Sequence, residues 1–181
     1  MRHYSALVAT ASLVLAGAAP ALAALPVGAT APDFTTEASL AGKPMSFNLA
    51  QALKKGPVVL YFFPAAFTSG CTAEAHEFAE ATDSFEKLGA SVVGVSADNI
   101  ETLNRFSVEE CRNKFAVAAG SSKVIAEYDV KLMPLVAKSN RTSYVVTPDG
   151  KIAFVHSNLS YKGHVGLSLA AVKAWRASHP G

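Results

Sequence analysis

Two cysteines, Cys71 and Cys111, are the residues best able to do chemistry in this chain. Cys71 lies in the stretch Pro64-Ala65-Ala66-Phe67-Thr68-Ser69-Gly70-Cys71-Thr72-Ala73-Glu74. The apolar run 57–63 precedes that stretch, and Phe78, Ala81, Phe85 and Leu88 follow it at helical spacing. A strand feeding a helix through this turn places Cys71 in the first helical turn. Unsatisfied N–H groups and the positive end of the helix dipole gather there. The thiolate, not the thiol, is the nucleophile, and such surroundings favour it. Thr68, three residues earlier, can aim its hydroxyl at the sulfur. Pro64 has no N–H and limits water access to the turn. Arg141, which opens the β-rich run 142–147, is the best candidate for a nearby formal charge. Glu74 can either orient Arg141 or favour the helix N-terminus.

The elements that must position these residues follow from pattern. The run 58–63 reads as a strand covered on both faces. A helix over 71–88 follows, stopped by Gly89, and 91–96 reads as a second buried strand. Strand, helix, strand at this length is a right-handed βαβ unit. Asn99 or Asp98 can cap a third helix that ends near Cys111. A short strand at 114–118 and a helix at 121–128 come next. Pro148-Asp149-Gly150 joins two β-rich segments, 142–147 and 152–156, as a hairpin. A helix through Leu167, Val172 and Trp175 closes the chain. The stretch 25–41, rich in small residues, reads as extended over the surface, and a short helical turn falls within 46–53. The sum is an α/β fold with a central mixed sheet covered by helices on both faces.

Pro64, Thr68, Cys71 and Arg141 resemble the active site of the peroxiredoxins, Pro-x-x-x-Thr-x-x-Cys on a strand, loop and helix with a remote arginine. Glu74 continues the pattern as Cys-x-x-Glu. The segment from Tyr61 to Glu74 looks most like the Q-type group, also called bacterioferritin comigratory proteins. The resemblance implies a thioredoxin-like fold and a peroxidase with no cofactor and no metal. Cys71 would be the peroxidatic thiol, with Thr68, Arg141 and backbone N–H groups aligning the peroxide. An external dithiol reductant would then restore the enzyme, which would work as a monomer or homodimer. Many Q-type members carry a resolving cysteine five residues after the first, but here that position is His76. Cys111 is the remaining candidate for the resolving role; a lone cysteine can also be a buried small hydrophobe, but its polar neighbours Glu109, Glu110, Arg112 and Asn113 suggest a helix end near solvent. His76 itself reads as a solvated or capping residue, because a five-residue step leaves it about 140° round the helix from Cys71. His156, His164 and His179 are scattered without metal spacing.

The rest of the chain narrows the choice. Residues 1–23 read as a secretory signal, with Arg2 and His3 before an apolar stretch and Ala21-Leu22-Ala23 as the cleavage site. Its removal would leave residues 24–181 as a single domain, exported to the periplasm, without a membrane anchor. It also lowers the formal charge from +2 to +1. Near-neutral charge without like-charge runs gives no case for nucleic acid. Two rival readings remain: an exported thioredoxin-like disulfide oxidoreductase, and a binding domain stapled by a Cys71–Cys111 bridge. The first expects C-x-x-C where this chain has Glu74, and the second leaves Pro64 and Thr68 unexplained.

Overall fold

The computed structural model describes residues 24–180, so the expected signal segment lies outside the described residues. The elements run β1 (Thr35–Leu40), β2 (Lys43–Asn48), α1 (Leu49–Leu53), β3 (Val58–Phe62), α2 (Ser69–Glu86), β4 (Ser91–Ser96) and α3 (Ile100–Glu109). They continue β5 (Ala116–Ala119), α4 (Ser122–Glu127), β6 (Lys131–Met133), β7 (Val136–Ser139), β8 (Thr142–Val146), β9 (Ile152–Ser157) and α5 (His164–Ser178). Seven strands form one sheet in the order β2-β1-β5-β4-β3-β8-β9, and β6 pairs with β7 in a separate ribbon. Strands β3, β4 and β5 are parallel, whereas β8 runs antiparallel to β3 and β9 to β8. The mixed sheet expected from the sequence is present, and the fold is thioredoxin-like.

The central strand β3 shows why the sheet is covered twice. Alternate side chains of a strand point to opposite faces, and all five residues of β3 are buried. Val58, Leu60 and Phe62 enter one core, with Leu49 and Leu53 of α1 and Val124 and Ile125 of α4. Val59 and Tyr61 enter the other, where Phe78 of α2, Phe106 of α3 and Val172 of α5 meet them. Each face therefore has its own helical layer. No helix among the described residues is long and apolar enough to cross a membrane.

Two segments depart from the sequence reading. The stretch 25–41 does not simply run over the surface: its second half is β1, which pairs with β2 through a tight turn and with β5 through Ala38 and Ser39. Both of those residues are fully buried. The strand was hidden because its inward positions are small rather than large and apolar. The ribbon β6–β7 was missed for the opposite reason. Its residues are mostly exposed, so no burial pattern marks it.

Gly94 on β4 lies opposite Tyr61 on β3. A Cβ at Gly94 would sit 2.8 Å from the Tyr61 ring, and that ring is stacked on Phe78 with centroids 4.3 Å apart. The ring has nowhere to move. Gly94→Ala is expected to destabilise the protein by about 1–3 kcal/mol through overpacking, read as a lower urea midpoint with an unchanged denaturant slope.

Candidate active site

Strand pairing brings the chemistry together. Phe62, the last residue of β3, lies opposite Thr142, the first residue of β8. The segment leaving β3 and the residue entering β8 therefore emerge at the same end of the sheet. Arg141 and Cys71 meet there although 70 residues separate them. The pairing of Thr142 with Ser157 and of Ser143 with His156 carries the β9–α5 connection to the same place.

The turn between β3 and α2 is held from several sides. The Phe63 N–H donates to Val95 O at 3.0 Å, and the Ser139 hydroxyl donates to Phe63 O at 2.8 Å. Asp98 accepts the Ala66 N–H at 2.7 Å and the Ser96 hydroxyl at 2.6 Å. Phe67 sits at φ 61°, a left-handed conformation that costs a bulky residue about 1–3 kcal/mol. Its ring packs edge-on against Phe106 at 5.3 Å, with the Arg105 guanidinium 5.1 Å from its centroid. Packing and hydrogen bonds thus over-determine the turn.

Thr68 occupies the N-cap position of α2 but makes no capping hydrogen bond. Its hydroxyl donates to Ala65 O at 3.0 Å. A hydroxyl has one hydrogen, so Thr68 is not a donor to Cys71, contrary to the sequence expectation; its lone pairs remain able to accept. Pro64 is half-buried at the start of the same turn.

Arg141 is the organising cation. Its Nε donates to Leu159 O at 2.9 Å, Nη1 pairs with Glu74 Oε2, and Nη2 lies 3.4 Å from Cys71 Sγ. The guanidinium fork is used on all three edges. Burial alone would lower its pKa, but Glu74 and Cys71 more than offset this and hold it above the ordinary arginine value. Gly70 is where the guanidinium approaches the helix: a Cβ there would be 3.2 Å from Nη2. Glu74 thus contacts Arg141, which settles the alternative its helical position left open.

Behind the pair lies a residue the sequence did not single out. His164, fully buried at the start of α5, has Nδ1 2.8 Å from Ser143 Oγ and 3.7 Å from Glu74 Oε1. Its Nε2 is 3.0 Å from Asn158 O. The His156 ring lies 4.5 Å from the His164 ring, so these two histidines are in contact rather than scattered. An eight-residue spacing across a strand end and a loop gives no periodic signal for that contact. Among the described residues no group of three His, Cys, Asp or Glu side chains is placed to hold a metal ion.

Cys111 lies just beyond α3 and is fully buried, which corrects the expectation of a helix end near solvent. It belongs to the same core as Cys71 and Tyr61. Burial first, and then the Glu110 carboxylate, push its thiol pKa well up. Polar neighbours misled because Arg112 and Asn113 turn outward through left-handed backbone, at φ 51° and 61°. His76 pairs with Glu110 at 2.7 Å, tying α2 to the segment that carries Cys111. Both cysteines are free thiols.

A family model described as AhpC/TSA matches residues 27–155. The chain belongs to the AhpC/TSA family. Within this family it is similar to the chloroplastic peroxiredoxin Q of Sedum lineare, 33% identical over 131 residues, 72% of this chain and 68% of that protein. It is also similar to peroxiredoxin Bcp of Xanthomonas campestris, 29% identical over 122 residues, 65% of this chain and 76% of that one. The crystal structure of peroxidoxin BcpB from Mycobacterium tuberculosis superposes with a TM-score of 0.73 at 32% identity, covering 82% of this chain and 96% of that one. These AhpC/TSA relatives agree with the Q-type resemblance carried by the stretch from Tyr61 to Glu74.

Burial, helped by the nearby His156 and Arg141 and opposed by the bond to Asn158 O, lowers the His164 pKa from 6.5 to about 4. The unfolded chain therefore takes up this proton more readily than the folded one. His164 contributes stability that is full above about pH 6.5 and is lost as pH falls towards about 4. Thermal melts across that window should show a steeper acid loss for the natural protein than for His164→Gln.

Proposed function

We propose that the protein reduces hydrogen peroxide and organic hydroperoxides with Cys71 as the thiol that meets the substrate. Membership of the AhpC/TSA family makes it a thiol peroxidase. The observation that carries the residue assignment is the Arg141 guanidinium 3.4 Å from Cys71 Sγ, at the start of a long helix.

The Cys71 thiolate attacks one peroxide oxygen and the O–O bond breaks. Sulfur is oxidised to the sulfenic acid, and the departing oxygen leaves as water or an alcohol after taking a proton. Arg141 and the N–H groups of the first turn of α2 stabilise the charge that moves from sulfur to the leaving oxygen. Thr68, as an acceptor, orients a peroxide O–H, and Pro64 keeps water from the turn. A second thiol condenses with the sulfenic acid, releasing water and forming a disulfide that an external dithiol reduces.

Cys111 is the second thiol in this reading, and it must leave the core to act. Two of the contacts that hold its turn release easily. The pairs Arg112–Glu80 at 3.1 Å and Lys114–Asp83 at 3.0 Å are both exposed, and such pairs contribute at most about 1 kcal/mol each. Residues 1–23 would act as an export signal, placing the enzyme in an oxidising compartment such as the periplasm.

Cys71→Ser should abolish peroxide turnover while the circular dichroism spectrum stays native; retained turnover would defeat the assignment. Arg141→Ala should slow single-turnover oxidation by about 10²-fold or more, measured by stopped flow. Treatment of the reduced protein with one equivalent of peroxide should give a Cys71–Cys111 peptide by mass mapping. Sulfenic acid on Cys71 without that peptide would assign resolution to an external thiol.

A further inference from the structure

Three side chains on one face of α2 reach across to the segment that carries Cys111. His76, Glu80 and Asp83 stand at i, i+4 and i+7, the spacing of a single helical stripe. Each meets one residue of the turn after α3. His76 Nε2 lies 2.7 Å from a Glu110 carboxylate oxygen, Arg112 Nη1 lies 3.1 Å from Glu80, and Lys114 Nζ lies 3.0 Å from Asp83. A carboxylate only accepts, so the first contact holds with the imidazole neutral or charged. Alternate residues 110, 112 and 114 are thus pinned to α2 in order, like the rungs of a ladder. Cys111, between the first two rungs, turns inward with Phe115, and both are buried in the core that holds Cys71.

The backbone of this turn works against the ladder. Arg112 and Asn113 both stand in left-handed conformation, at φ 51° and 61°. Asparagine tolerates that region, but it is unfavourable for a long side chain such as arginine. Contacts elsewhere must offset the strain at Arg112, and its guanidinium supplies one by reaching Glu80. The Cys111 N–H donates to Phe106 O and the Asn113 N–H to Ser107 O, each at 3.0 Å. These backbone bonds tie the turn to the end of α3, so its join to α2 is made by the rungs and by core packing.

We propose that His76, Glu80 and Asp83 are positioning residues for Cys111, and that their ladder sets how often this thiol leaves the core to meet oxidised Cys71. The proposal rests on Cys111 being the resolving thiol. In that step the Cys111 sulfur bonds to the sulfur of the Cys71 sulfenic acid, and the thiol proton leaves with the sulfenic hydroxyl as water. Two rungs are exposed and individually weak. The rung beside Cys111 is the most sheltered, with the Glu110 side chain 18% exposed. All three act on one short segment and must part together before it can move, so their effects multiply. The strain at Arg112 pulls the other way, towards release.

Maleimide labelling of Cys111 in a Cys71→Ser background measures release without peroxide. Glu80→Gln and Asp83→Asn should each speed labelling about two- to fivefold, and His76→Ala should speed it more, with circular dichroism staying native. Arg112→Glu sets two carboxylates against each other and should also speed it. Combining Arg112→Glu with Glu80→Arg restores an opposite pair and should restore the slow rate. With Cys71 present, the same variants should speed Cys71–Cys111 disulfide formation after one equivalent of peroxide and leave oxidation of Cys71 itself unchanged. Labelling unmoved by the variants, a charge swap that fails to restore the slow rate, or an unchanged rate of disulfide formation would overturn the proposal. Labelling that follows the ladder while peroxide yields no Cys71–Cys111 bond would leave the latch standing and defeat the resolving assignment instead.

Discussion

Nearly everything at the functional end of this fold serves to keep one guanidinium out of water. Removing a charge from solvent costs several kcal/mol unless its donors are met. Arg141, only 5% exposed, meets that demand with three acceptors drawn from two parts of the chain. The antiparallel register of β3 and β8 puts it beside the turn, the β9–α5 connection supplies Leu159 O, and α2 supplies Glu74 and Cys71. The sulfur is the one acceptor of the three that chemistry can change. Oxidation of Cys71 therefore alters the balance of a buried charge as well as a side chain.

The two cysteines show how environment divides a single residue type. Both are nearly inaccessible and share one core. Cys71 has a cation 3.4 Å away, while Cys111 has burial and the Glu110 carboxylate. The first sulfur faces a positive charge, and the second faces a negative one that, with burial, opposes its ionisation. The proposed division of labour between attacking and resolving thiols rests on these neighbours.

Much of this was legible in the sequence, for particular reasons. Strand β3 announced itself as an unbroken apolar run, and Asn99 capped α3 as its side chain suggested, accepting the Thr102 N–H at 2.9 Å. Cys71, Glu74 and Thr68 are near neighbours in sequence, so helical geometry alone grouped them. Arg141 was found only because the strand after it could be placed beside β3. His164 and Ser143 were not found, since a histidine contact made by a strand register and a loop return leaves no spacing to read. Asp98, the alternative to Asn99 as the α3 cap, instead holds the Ala66 N–H, a contact set by the end of β4 rather than by its own neighbours. Cys111 was misplaced because burial there depends on a backbone turn through non-glycine residues in a rare conformation.

The closeness of the Arg141 Nη2 atom to Gly70 also bears on how such a sequence can vary. A methyl group at position 70 would have to displace the guanidinium by a few tenths of an ångström. That atom is the one facing the sulfur, so the displacement would be transmitted to the thiol rather than absorbed. Positions 70 and 141 are thereby coupled through a direct contact although they lie far apart in sequence. Directed-evolution libraries that randomise the turn would therefore read position 70 as a control on the arginine rather than as a spacer.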